Sequence, residues 1–230
     1  MAYDLEEQEQ IATIKDWWDK WGRLITTAVT AVLVGIAGVQ AWRYYTTQQA
    51  SSASVLYSQL DTADKSNEPK KVHEIATTLA TSHGRTPYAS MAALRAAKLS
   101  AAGNDLAAAR QRLQWVLDST KDDDMRDIAR LRLAGIALDE KKLDEALKLL
   151  DVKHGAAFDG LYADLRGDIL ASQDKRAEAR AAFQIALEKS EARGTYRQIV
   201  QAKLDALGEA PKAQPTPVKD DASQKGAGGK

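Results

Sequence analysis

The feature that most restricts this chain is a run without charge. From Leu24 to Trp42, between Arg23 and Arg43, 19 consecutive residues carry none. As an α-helix at 1.5 Å per residue the run spans roughly 28 Å, close to the bilayer's hydrocarbon thickness of about 30 Å. Thr26, Thr27 and Thr30 dilute its hydrophobicity, but a helical threonine hydroxyl can bond back to a carbonyl one turn earlier. Trp17, Trp18 and Trp21 precede the run, and Trp42, Tyr44 and Tyr45 close it; of the five tryptophans only Trp115 lies elsewhere. Amphipathic rings at both ends match the two interfaces of a membrane. A soluble core helix has no need of arginines and aromatics at both its ends. A cleaved signal is the closer competitor, because Val39 and Ala41 are small enough for a processing site. Its leader is short and basic, however, whereas the residues before this run include Asp4, Glu6, Glu7, Glu9, Asp16 and Asp19. The reading is a permanent membrane span.

Orientation follows the lysines and arginines nearest the ends. Lys15, Lys20 and Arg23 lie before the span; Arg43 follows it, and the next basic residue is Lys65. This predicts a cytoplasmic N-terminus, with the rest of the chain across the membrane, in a bacterial periplasm if the membrane is a bacterial inner one. The absence of cysteine fits either side. The 32 basic residues balance 32 acidic ones without long like-charged blocks, which argues against a nucleic-acid partner. Abundant alanine and leucine with only two phenylalanines favour an all-helical fold. The expected division is a cytoplasmic segment 1–23, a transmembrane helix 24–42, a membrane-proximal helical extension 43–66, a helical domain 67–207 and a disordered tail 208–230. The tail is rich in proline and glycine and holds too few large apolar residues to offset its ordering entropy.

Within the helical domain, Pro69 and Gly84 bracket one helix, and Thr86, Pro87 and Gly103 bracket the next. Further helices fit roughly 105–118, 122–140, 142–152, 158–172, 175–190 and 194–207, joined by connections short enough to force antiparallel hairpins. Three stretches superpose. A small residue recurs at Ala97, Ala134 and Gly167, and a branched apolar residue at Leu99, Ile136 and Ile169. Then come Leu106, Leu143 and Arg176; alanine at 109, 146 and 179; and Leu113, Leu150 and Phe183. Each column is displaced by 37 and then 33 residues, close to the 34-residue hairpin of tetratricopeptide repeats. The fold class predicted is therefore all-α: one N-terminal transmembrane helix followed by a tetratricopeptide-repeat-like α-solenoid. Arg176 breaks its column and marks the third repeat as atypical, and the helix from Thr195 to Leu207 is expected to cap the array.

No catalytic constellation is legible. His73, His83 and His154 lack the partners of a metal motif, and "VHEIA" has no second histidine. "KDDDMRD" (121–127) lacks the glycine and terminal glutamate of a calcium loop and sits where acids favour a helix N-terminus. "GAGGK" at the end of the tail has the wrong spacing for a phosphate loop. No enzyme activity, cofactor or metal is expected. A repeat array instead offers a groove lined by its first helices. In that register Ala93, Ala96 and Ser100 face the groove, followed by Arg130, Leu133 and Ala137, and by Arg166 and Leu170. Exposed leucines beside arginines suit a hydrophobic or amphipathic peptide, although occupation of the groove by another helix of the same chain is the slightly favoured reading. In the span, Ala31, Gly35 and Gly38 form a face suited to close helix packing, or are ordinary small membrane residues.

The order and spacing of "EQEQIATIKDWWDKWG", "AWRYY", "SASVLY", "TPYASMAAL" and "DLRGDIL" resemble the YfgM-like family of ancillary SecYEG translocon subunits, over about residues 5–207. The tail looks longer and richer in proline and glycine than the family's. The resemblance implies a non-enzymatic single-pass protein of the bacterial inner membrane that associates with the SecYEG translocon. It also implies a membrane-anchored periplasmic chaperone of the prolyl-isomerase type as partner, and a role in handing emerging exported polypeptides to chaperones. The other function considered is a repeat scaffold for a different envelope complex, in cell-wall synthesis or division.

Overall fold

The structure is a computed structural model that describes residues 3–190 and 194–208. Apart from Gly208, the expected tail lies outside the described residues. The first helix, α1 (Tyr3–Lys65), runs unbroken through the apolar stretch and onward. It contains no proline, and nothing in it forces a stop before Asn67. The threonine hydroxyls do bond back: Thr26 Oγ1 donates to Gly22 O at 2.8 Å, Thr27 Oγ1 to Arg23 O at 2.7 Å and Thr30 Oγ1 to Thr26 O at 2.7 Å. These three hydroxyls inside the span are thus satisfied without water. None of the most apolar stretch is covered by the rest of the chain. It is the one membrane-spanning helix among the described residues.

The chain divides into two compact units, Met1–Ala129 and Arg130–Lys230. The first holds the rest of α1, α2 (Pro69–Ser82), α3 (Pro87–Ala102), α4 (Leu106–Ser119) and the start of α5 (Asp123–Asp139). The second holds the remainder of α5, α6 (Leu143–Leu150), a 3₁₀ turn (Ala156–Phe158), α7 (Asp159–Ser172), α8 (Arg176–Lys189) and α9 (Thr195–Ala206). Among the described residues all regular structure is helical, as the composition predicts.

One turn recurs four times. Asn67, Asn104, Lys141 and Asp174 have φ between 56° and 62°, the left-handed region. Each donates its amide three residues back, to Asp64, Ala101, Leu138 and Ala171, at 2.9–3.1 Å. The next amide reaches five residues back, from Glu68 to Ala63 O, Asp105 to Ser100 O, Lys142 to Ala137 O and Lys175 to Leu170 O, at 2.8–2.9 Å. This is the Schellman closure of a helix, which satisfies its last carbonyls and reverses the chain. Its spacings are 37, 37 and 33 residues, those of the sequence columns, but there are four copies rather than three. The extra copy shows that the end of α1 pairs with α2 as a first hairpin. Ala53, Leu60 and Ala63 of α1 are buried with Val72 and Leu79 of α2 and Ala89 and Ala92 of α3. Arg95 of α3 binds Asp64 and approaches Asp61 Oδ1 at 3.5 Å, fastening the same segment. The bond to Asp64 raises the Arg95 pKa against the cost of burial. The packed domain therefore begins near Ala53, inside the stretch expected to be an extension.

In the second unit the small and large columns meet directly. A Cβ on Gly167 would lie 2.5 Å from Cε1 of Phe183, and both residues are buried. The earlier repeats carry alanine with leucine in these two columns, so the third exchanges a methyl group for room to seat a ring. Arg176, the residue that breaks its column, lies exposed, its Nε 3.1 Å from Oδ1 of the left-handed Asp174. Helix α9 packs on α8 and reaches α7 through Lys203, whose Nζ donates to Asp164 Oδ1 at 2.8 Å and Asp168 Oδ2 at 2.7 Å. Burial alone disfavours the Lys203 charge, but the two carboxylates outweigh it and raise the pKa.

Gly167→Ala is expected to destabilise the second unit by about 1–3 kcal/mol through overpacking. Adding Phe183→Leu should recover part of that loss, although Phe183→Leu alone destabilises. Urea unfolding of the single and double variants measures the coupling; additive losses would show that the two columns do not compensate.

Candidate functional site

Among the described residues no cluster of histidine and acidic side chains could hold a metal ion. The three histidines have local settings instead. His83 caps α2, its amide donating to Leu79 O at 3.0 Å. The His154 ring stacks on Tyr162 with centroids 3.9 Å apart. His73, on α2, has a buried Nδ1 without a hydrogen-bond partner.

The residues expected to face a groove separate into two groups. Leu133 and Leu170 are only 3% and 7% exposed, and Ala137, Ala93, Ala96 and Ser100 are buried as well. The expectation of exposed leucines is therefore corrected. Ser100, Ala137 and Leu170 sit at the position whose carbonyl receives the five-residue bond of the Schellman turn. Leu170 is buried in a cluster with Ala179 and Phe183 of α8. Periodicity identifies such a stripe but not which side of it the paired helix covers. Arg130 is half-buried and has interactions of its own. Arg166 is exposed, its side chain 44% accessible, the most open of the set.

Arg166 borders an open cavity of about 280 Å³ in the second unit, formed by α7, α8 and the end of α6. Its Nη2 is 3.4 Å from Leu150 O and 4.0 Å from the carboxylate of the exposed Asp151. An exposed pair at that distance is worth little, so the guanidinium keeps most of its capacity to recruit an anion or a peptide carbonyl. The other charges are already matched: Asp159 receives Lys189 Nζ at 3.0 Å and lies 3.5 Å from His154 Nδ1. Ile185 stands on the same rim, 48% exposed. One directional cation beside one apolar side chain is a setting for an amphipathic segment.

A second cavity, about 410 Å³, lies in the first unit between α2, α3 and α4 and is lined by Arg112, Trp115, Gln111 and the alanines 76, 80 and 93. Arg112 is half-buried, and its buried Nε lacks a hydrogen-bond partner; burial lowers its pKa, with Asp105 opposing. Sequence alone isolates Trp115 as the one tryptophan outside the membrane flanks but does not show the cavity it lines with Arg112 three residues before.

In the span, a Cβ on Gly35 or Gly38 would meet nothing within 4 Å. No described part of this chain packs on that face.

These features define a tetratricopeptide-repeat-like helical protein carried on one membrane helix, and the sequence profile of the tetratricopeptide repeat-like domain matches residues 15–209. The curated relatives are more particular. An ancillary SecYEG translocon subunit of Haemophilus influenzae is 31% identical, covering 90% of this chain and 100% of the relative. Proteins of the same description from Neisseria gonorrhoeae (29%; 90% and 100%) and Escherichia coli K12 (28%; 87% and 96%) also match. The chain belongs to the family of ancillary SecYEG translocon subunits. No solved structure matches it.

The setting of His73 has a pH consequence. Burial first, then the charge of Arg112, lower its pKa below the ordinary 6.5, with Asp105 opposing. The unfolded chain therefore takes up this proton more readily than the folded one, so its contribution to stability is present above pH 6.5 and is lost as pH falls through and below that value. Urea midpoints of the full chain in detergent at pH values of about 7.5 and 5.5, on either side of the ordinary histidine pKa, should differ less for His73→Gln than for the natural sequence. Equal differences would remove His73 as the cause.

Proposed function

We propose that this protein is a non-enzymatic adaptor at the SecYEG translocon of the bacterial inner membrane, with its N-terminus in the cytoplasm and its repeat domain in the periplasm. The observation that carries the proposal is the uncovered small-residue face of the span, Ala31, Gly35 and Gly38, in a chain whose relatives are named as translocon subunits. Such a face admits close approach of a channel helix. Anchoring beside the channel raises the effective concentration of emerging chains around the repeats, so contacts too weak for a soluble binder become sufficient. The contact surface on the repeats is the Arg166–Ile185 rim, with Leu133, Ala137 and Leu170 supporting the fold of the same unit and Arg130 half-exposed. Its expected occupants are exported polypeptides or a membrane-anchored chaperone of the prolyl-isomerase type. The separation of one cation from matched charges supports an amphipathic segment over a purely apolar one.

Two experiments test this. Because the chain lacks cysteine, single cysteines replacing Ala12 and Ile185 report topology cleanly. In intact spheroplasts an impermeant maleimide should label the cysteine at 185 and not the one at 12; the reverse pattern inverts the orientation. Photo-crosslinkers at Gly35 and Ile185 should capture, respectively, a channel subunit, and an exported chain or chaperone in cells. Capture only of wall-synthesis or division proteins at 185, with no channel subunit at 35, would replace the adaptor by a scaffold of another envelope complex. Arg166→Glu should reduce capture at 185 by about tenfold, in line with reversing one directional charge contact.

A further inference from the structure

Helix α1 leaves the span at Trp42 and continues without a break, so heights above the bilayer can be read along it. Gln49 is seven residues on, about 10 Å higher at 1.5 Å per residue. The headgroup layer on each side is about 5–8 Å thick, the difference between the hydrocarbon core and the whole bilayer, so Trp42, Tyr45 and Thr46 fall within it and Gln49 just above it. A pocket of about 610 Å³ opens over this interval. One wall is α1, through Trp42, Tyr45, Thr46 and Gln49; the other is the α2–α3 loop, through His83, Gly84 and Arg85.

The loop is held against α1 by construction. His83 Nδ1 donates to Gln49 Oε1 at 2.5 Å. A Cβ on Gly84 would lie 2.7 Å from the backbone oxygen of Ala80, so only glycine lets the chain turn this tightly off the end of α2. Thr86, which brackets the start of this helix in the sequence, stands at the N-cap of α3, but its hydroxyl donates backward to His83 O at 2.8 Å and closes the loop instead of capping the helix. Arg85 stands exposed on this loop with no carboxylate bound to it among the ion pairs of the described residues. Trp42 and Tyr45 are likewise exposed, their rings 6.4 Å apart.

We propose that this pocket seats the headgroup of an anionic glycerophospholipid from the leaflet on the C-terminal side of the span. The aromatic wall sits where the acyl chains meet the glycerol, a depth that tryptophan and tyrosine favour. Arg85, on the opposite wall, binds the phosphodiester with its fork of donors. The loop thus becomes a second point of attachment to the membrane beside α1, and it fixes the tilt of the first unit. A protein partner would not be confined to this narrow band of heights, whereas headgroups fill it in every membrane.

The test uses the full chain in nanodiscs, with a nitroxide on a single cysteine replacing Arg85 or, as control, Lys98 on the exposed side of α3. Collision rates with oxygen and with a water-soluble nickel chelate should put the label at 85 in the headgroup layer and the label at 98 in bulk water. Bulk-water values at 85 would overturn the proposal. By native mass spectrometry from mixed phosphatidylglycerol–phosphatidylcholine discs, the natural sequence should retain phosphatidylglycerol preferentially. Arg85→Gln should lose that preference by about threefold or more, and Arg85→Lys should keep most of it. Equal retention of both lipids, or no change in Arg85→Gln, would reject an anionic headgroup site.

Discussion

The structure depends on the continuity of one hydrogen-bonded helix. Inside the bilayer, backbone amides and carbonyls have no water to bind, so the chain must remain helical across it. Nothing in the sequence then ends the helix until Asn67, where a left-handed residue closes it. The same element that crosses the membrane therefore supplies the first helix of the soluble core. Leu60 and Ala63 are buried, and Arg95 clasps Asp64 on its last turns. The anchor and the domain share a single element, so the usual separation into anchor, linker and domain does not apply here.

Between the helices the governing quantity is volume. In each of the three later repeats a small residue on the first helix is paired with a large one on the second, and the third repeat carries this furthest with Gly167 and Phe183. The first hairpin reverses the arrangement. Counting back 37 residues from Ala97 and Leu113 leads to Leu60 and Ala76, large then small, and both are buried. Packing density is kept while the bulk moves to the other helix.

That reversal explains why part of the fold is legible in the sequence and part is not. Pro69, Gly84, Pro87 and Gly103 punctuate the chain, so the helix limits they predict fall within a few residues of those observed. The three later repeats emerge because their columns shift together. The first repeat is hidden because Leu60 and Ala76 invert its columns and its first helix carries no start signal of its own. Its one periodic mark is Asn67, displaced from Asn104 by the repeat length, but left-handed backbone at asparagine, lysine and aspartate is not evident from residue type as it would be at glycine. The site is less legible still. The repeat register singles out Arg166, whose side chain is accessible; Leu133 and Leu170 lie on the neighbouring faces that burial claims. Arg112 and Trp115, three apart on one helix, share a face by spacing alone, but the cavity they line, like the placing of the α2–α3 loop beside the membrane exit, depends on tertiary proximity that no spacing rule encodes.

An unbroken α1 also makes the number of residues between Trp42 and Ala53 a matter of phase rather than of length. Adding or removing one residue in a helix shifts the packed unit beyond it by only about 1.5 Å but turns that unit by about 100°. The face that the first unit presents to a neighbour beside the span is thus set by residue count, as the setting of a key's teeth is fixed by rotation of its shaft. Three or four residues would nearly restore the bearing while raising the unit by about one helical pitch. A single residue would leave the height almost unchanged and point the repeats in another direction around the membrane normal.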